Sequence, residues 1–160
     1  FNNTPNTNVG TLNVTKIVAG NSANTNDVFT FKVTLGGVTG THSATINGVA
    51  TTPAQNGDNT YTLKHDETLV INNLPVGATY TVTETDAKGY TVTDSQTTTA
   101  ENLAEGAIAS GANGVTFTNT KNVQPIMGVF MDVLPYALIV VVAAAACFFF
   151  MTRRRNREDY

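Results

Sequence analysis

The sequence predicts an all-β domain, a β-sandwich, followed by a single C-terminal transmembrane helix. Three observations lead there. Before residue 123 the apolar residues alternate with polar ones at period 2, and no segment carries a convincing 3.6-residue apolar repeat. Thr and Asn are heavily used, as expected for strands with a β-branched polar outer face joined by Asn- and Gly-rich turns. After Asn122 the composition changes, and Leu134 to Met151 is apolar apart from Tyr136.

Taken in order, residues 1–9 are a linker or the end of a preceding domain. The opening F-N-N-T-P-N echoes F-T-N-T-K-N at 117–122, so Asn3 stands where Asn119 stands. Thr11–Val18 is the first strand, with Leu12, Val14, Lys16 and Val18 on one face. Val28–Leu35 is a half-buried strand that turns Phe29, Phe31, Val33 and Leu35 inward and Lys32 to water. Residues 36–59 carry only weak strand signals near Ala44–Ile46. Tyr61–Lys64 and Thr68–Ile71 read as strands joined by H-D-E, and L-P-V-G at 74–77 as a turn. Tyr80–Glu84 is a strand, Tyr90–Thr93 continues the sheet, and 95–114 is a long loop with a short strand near Ile108. Val115–Thr120 closes the domain, which spans 10–122.

Three strands break their own pattern. Glu84 shares the face of Tyr80 and Val82, Lys16 that of Leu12 and Val14, and Asn119 that of Val115 and Phe117. Burying an unpaired amide costs roughly 2–7 kcal/mol and a charge more. A lysine, a carboxyl and a carboxamide directed into one core compensate one another only if they meet. Glu67, the nearest rival carboxyl, sits at a turn edge, and Lys32 faces the wrong way.

Residues Tyr80, Glu84, Thr85, Ala87, Gly89 and Tyr90 match the Y-x-x-x-E-T-x-A-x-G-Y glutamate box of Gram-positive pilins and surface adhesins, with Val82 for the usual Leu and Lys88 for the usual Pro. With V-T-K early and F-T-N-T last, residues 10–122 resemble Cna-B-type pilin isopeptide-linkage domains, which have Ig-like sandwiches. The resemblance implies an autocatalytic amide between Lys16 and Asn119, with Glu84 as its catalyst. Burial favours the neutral form of an amine and of a carboxyl alike, so a neutral Lys16 would attack the Asn119 carbonyl while Glu84 polarises it and relays protons.

The C-terminal part is expected to divide into a linker at 123–132, a transmembrane helix at 133–152 and a basic cytoplasmic tail at 153–160. Nearly twenty apolar residues match a bilayer core, and Arg153, Arg154, Arg155 and Arg157 hold the tail inside. Gln124, Pro125, Ile126, Met127 and Gly128 precede the span. In that order, motif, span and basic tail resemble a variant cell-wall sorting signal of pattern L-P-x-T-G, with Gln124 for Leu and Met127 for Thr. That resemblance implies a sortase-type transpeptidase as partner, with peptidoglycan or a neighbouring pilin subunit as acceptor.

Composition excludes other classes. There are 9 Lys+Arg against 12 Asp+Glu, and the only basic cluster is the tail, so no nucleic-acid partner is expected. His42 and His65 stand alone in polar loops, so neither a metal nor a cofactor is expected. Cys147 lies in the apolar run and cannot staple the domain. With no initiator Met and no signal peptide, Phe1 is expected to mark a processing boundary. The expected function is a cell-surface stalk domain on a membrane or wall anchor, reacting once and not turning over. The alternative is an adhesin module that binds a host ligand through 36–59 and 95–114.

Overall fold

The computed structural model describes residues 8–96, 102–123 and 127–155, with side chains of the C-terminal helix described for 136–151 and Arg153. Asn3 and Gln124–Ile126 lie outside the described residues. Two compact units result, 1–122 and 123–160.

In the first unit, ten described strands form two sheets. They are β1 (Val9–Ala19), β2 (Phe29–Gly36), β3 (Thr41–Ile46), β4 (Val49–Gln55), β5 (Gly57–Leu63), β6 (Thr68–Pro75), β7 (Thr79–Glu84), β8 (Thr91–Asp94), β9 (Leu103–Ala107) and β10 (Gly111–Thr120). One sheet has the order β4-β3-β6-β1-β10-β8 and the other β5-β2-β7-β9. The first and last strands are neighbours and run parallel, with Lys16 opposite Phe117 and Val18 opposite Asn119. All other pairings are antiparallel.

Alternation makes this a sandwich, because every second residue of the central strands is buried. Leu12, Val14, Leu69, Ile71, Val115 and Phe117 of the larger sheet share one core with Phe29, Phe31, Val33, Val82 and Leu63 of the smaller. Phe31 and Phe117 meet edge to face across the sheets at 5.2 Å.

Several expectations need correction. Residues 36–59 are mostly strand, β3 and β4 pairing through an Asn47–Gly48 turn with both residues at positive φ. Its alternation is hard to read because β4 is an edge strand with little buried beyond Ala54. The stretch 95–114 holds β9 and the start of β10, and the strand lies at 103–107, just before Ile108. Ile108 is buried but belongs to a connecting turn, its backbone bonded to Gly77 and Ala78. His42 lies on β3 and His65 is half-buried, accepting a bond from Val18 N–H at 3.0 Å, so neither is a free loop histidine.

The second unit contains α1 (Met127–Arg155), which begins earlier than the expected span and takes in Met127 and Gly128. Its described apolar side chains, among them Leu138–Val142 and Phe148–Met151, are exposed. Among the described residues, no helix is long and apolar enough to cross a membrane.

The β1–β2 loop is bound to the exit of β10. Ser22 N–H donates to Lys121 O, and Asn21 N–H to Asn122 Oδ1. Gly20 makes this approach available, with φ +106 and a Cβ position only 2.2 Å from Lys121 O. Gly20→Ala should therefore cost about 1–3 kcal/mol. Gly40→Ala, also at positive φ but in open space, should cost less, and thermal unfolding of the two variants checks the order.

Candidate functional site

Lys16, Glu84 and Asn119 are the buried polar or charged residues among those described, each 2 % exposed or less. β1 and β10 supply Lys16 and Asn119 as diagonal neighbours on one face, and β7 of the opposite sheet supplies Glu84. Lys16 Nζ donates to Glu84 Oε2 at 2.9 Å, and Asn119 Nδ2 donates to Glu84 Oε1 at 2.5 Å. One carboxyl thus holds both nitrogens, one on each oxygen.

Aromatic rings close the site. Lys16 Nζ lies 4.2 Å from the Phe29 ring centre and 5.7 Å from that of Phe31. Tyr90 packs edge-on against Phe29, and its hydroxyl donates to Asp27 at 2.7 Å while accepting from Asn24 N–H. The G-Y end of the glutamate box therefore supports the ring that covers the lysine. Lys88 has φ +50, which the proline ring cannot adopt, so this turn differs from the Pro-bearing pattern.

Burial dominates the electrostatics. Desolvation lowers the Lys16 pKa from its ordinary value, against the opposing pull of the hydrogen bond and charge of Glu84. A lysine so placed loses its proton more readily than one in water.

The Asn119 carbonyl behaves differently from expectation. Glu84 meets the amide nitrogen, and Asn119 Oδ1 is buried without a partner. A carboxylate only accepts, so it takes the N–H side of the amide. With the amide turned over, a protonated carboxyl O–H would instead donate to Oδ1.

Positioning residues were not visible in the sequence. Beyond the last β7–β9 pair, Asn102 binds the Glu84 main chain twice, accepting from its N–H at 3.0 Å and donating to its carbonyl at 3.2 Å. Thr85 donates both its N–H and its hydroxyl to Thr30 O. The H-D-E turn holds Lys16, whose N–H donates to Glu67 O and whose carbonyl accepts from Asp66 N–H. The Glu67 carboxylate caps that same turn by accepting from Lys64 N–H, so it is no rival catalyst. Lys32 pairs with Asp58 at the surface. Among the described residues no group of three or more metal-ligating side chains comes together.

Comparison with known proteins agrees with the fold. Residues 10–121 match the family described as "Domain of unknown function (DUF7601)". The chain is 29% identical over 126 residues to the pilus tip adhesin Cpa of Streptococcus pyogenes, covering 76% of this chain and 18% of that protein. It is 35% identical over 86 residues to a pilin of S. pyogenes serotype M1, covering 48% of this chain and 25% of that one. The crystal structure of the major pilin of S. pyogenes superimposes with TM-score 0.62 at 27% identity, over 72% of this chain and 49% of the pilin. This chain therefore spans a quarter or less of the curated relatives it matches.

The buried pair generates a stability prediction, best read in an Asn119→Ala background. There Glu84→Ala leaves the Lys16 amine without its acceptor and should cost about 3–5 kcal/mol. A pH series on the same background reads the lysine itself. Unfolded Lys16 keeps its proton up to about 10.5, whereas the folded group loses it at lower pH. Between the lowered folded value and about 10.5 the unfolded state binds more protons, so this group's contribution to stability rises with pH. Urea unfolding of Asn119→Ala, compared with Asn119→Ala/Lys16→Met from pH 7 to about 10.5, should show that rising difference. A falling difference would mean that the core favours the ammonium.

Proposed function

The chain belongs to the DUF7601 family and is a pilin-type domain of the Gram-positive kind, and we propose that it is a structural stalk domain of a cell-surface pilin or adhesin, closed by an amide bond between Lys16 and Asn119. The observation that carries this reading is the Glu84 carboxyl bridging the nucleophile and leaving-group nitrogens in a dry core.

The chemistry follows from that bridge. The neutral Lys16 amine attacks Asn119 Cγ, forming the Nζ–Cγ bond. The Glu84 carboxylate takes one proton from Nζ and delivers that proton to Nδ2, the Cγ–Nδ2 bond breaks, and ammonia leaves. Desolvation raises the share of neutral amine, and fixed strands hold the partners in contact. The reaction consumes its own groups, so the domain reacts once and is not an enzyme with turnover.

The product ties the first strand to the last. Closing a loop of about 100 residues stabilises by about 4–5 kcal/mol on the chain-entropy treatment used for disulfides. Tension applied along the chain passes from β1 through the amide to the end of β10, bypassing the residues between. Of the stretches read as binding loops in the alternative adhesin function, 36–59 is mostly strand and 95–114 holds β9 and the start of β10, which favours the stalk.

For the C-terminal unit we propose a single-pass anchor. The described apolar side chains of α1 are exposed, and with flanking Leu134 and Thr152 the run approaches the length of a bilayer core. Arg153–Arg155 and Arg157 favour a cytoplasmic tail, leaving the sandwich outside. Sortase-type transfer at Met127–Gly128, to peptidoglycan or a neighbouring subunit, requires the first turn of α1 to fray, since that bond lies at its start.

Intact mass tests the amide. The wild-type domain should be lighter than its sequence by one ammonia, and Lys16→Ala, Glu84→Ala and Asn119→Ala should each restore the full mass. Wild-type protein at full sequence mass would sink the proposal.

Anchoring is tested separately by fractionating cells. Wall-released protein should end at Met127 if transfer occurs. Material retaining Val129–Tyr160 in the membrane fraction alone would reduce the tail to a membrane anchor.

A further inference from the structure

Three Asn-Gly dipeptides occur in the chain, at 47–48, 56–57 and 113–114. Each glycine leaves its backbone open, since a Cβ on Gly48, Gly57 or Gly114 would meet nothing within 4 Å. The asparagines differ in how they are held. Asn47 accepts from Thr68 N–H through Oδ1 at 2.9 Å and donates its own N–H to Thr68 O at 3.0 Å. Asn113 donates Nδ2 to the carbonyls of Thr11, Ala109 and Gly111, and accepts from Ala109 N–H through Oδ1. Asn56 is exposed, and its side chain makes no hydrogen bond among the described residues.

Its place in the fold is as specific as its freedom. Asn56 is the single residue between β4 and β5, where the chain leaves one sheet and enters the other. Asn59 fixes the residues on either side, donating Nδ2 to Gln55 O and Gly57 O and accepting from Gln55 N–H. The flanks are held while the Asn56 carboxamide is left to rotate.

We propose that Asn56 is a spontaneous deamidation site, the one of the three Asn-Gly pairs that the fold leaves reactive. The Gly57 backbone nitrogen attacks Asn56 Cγ, a new N–Cγ bond closes a succinimide ring, and the Cγ–Nδ2 bond breaks. The Gly57 N–H proton departs with the amide nitrogen as ammonia. Water then opens the ring at either carbonyl, giving aspartate or isoaspartate. Both products add one negative charge to a chain of net −3, beside the surface pair of Lys32 and Asp58. Isoaspartate also lengthens the backbone by one methylene at the single residue between β4 and β5, one of the places where the chain passes from one sheet to the other.

The contrast with Asn119 is chemical. Both asparagines lose ammonia, one to a buried amine and the other to its neighbouring peptide nitrogen. Their mass changes have opposite sign, so the two reactions are read independently.

Incubation of the full chain at neutral pH, followed by peptide mapping with fragmentation that separates Asn47 from Asn56, tests the proposal. Conversion at Asn56 should exceed that at Asn47 and Asn113 by about tenfold or more, which corresponds to about 1.4 kcal/mol of barrier. Synthetic peptides spanning each dipeptide should convert at similar rates, because they lack the tertiary bonds. Asn56→Gln should remove the main product and leave the Asn119 chemistry unchanged. Equal conversion at all three sites, faster conversion at Asn47 or Asn113, no conversion at Asn56, or peptides already differing as the chain does would each overturn the proposal.

Discussion

The fold has to bury a lysine, and the contact of Lys16 with Glu84 is the interaction on which the rest of the core is arranged. An ammonium removed from water carries a penalty of several kcal/mol that a single carboxylate repays only with good geometry and further bonds. Here both carboxyl oxygens are engaged, Phe29 and Phe31 face the amine, and desolvation shifts Lys16 toward its neutral form. The same low-polarity surroundings that make the lysine costly also favour its neutral form, the form that the proposed amide chemistry requires.

Holding that contact requires main-chain bonds away from the groups themselves. Lys16 sits where the β1–β6 ladder gives way to the H-D-E turn, and Glu84 where the β7–β9 ladder gives way to Asn102. Lys16 and Glu84 therefore each stand where one of their ladders ends, fixed by a turn or by Asn102. Lys16 and Glu84 are 68 residues apart and Glu84 and Asn119 35, so the site exists only once the first, seventh and tenth strands have assembled. Chemistry that depends on this geometry follows folding and cannot precede synthesis of the last strand.

Topology gives the proposed amide its mechanical sense. Because β1 and β10 are parallel neighbours, the chain enters at one end of the pair and leaves at the other. Tension along the chain shears these two strands directly, and a bond between their side chains carries the load in place of the ladder. The binding of the β1–β2 loop to Lys121 and Asn122 secures the exit of β10 just before the chain passes into its second unit. The first unit turns most of its described large apolar side chains inward, while α1 leaves its described ones exposed.

The sequence by itself determined which residues break the apolar phase. Period-2 alternation is local, so Lys16, Glu84 and Asn119 could be assigned to inward faces from their immediate neighbours. It also determined the central strands, whose single buried face imposes strong alternation. It did not determine the edge strands β4 and β9, because an edge buries few side chains and leaves a weak pattern. Asn102, Thr85 and Asn59 act through backbone groups, which no periodicity records. Only the tertiary structure decided that Glu84 bridges two nitrogens and leaves Asn119 Oδ1 unpartnered, since the choice of donor or acceptor is made by what faces it across the sheets. Only the tertiary structure separated Asn56 from Asn47 and Asn113: three identical dipeptides differ solely in the hydrogen bonds that distant strands and neighbouring turns supply.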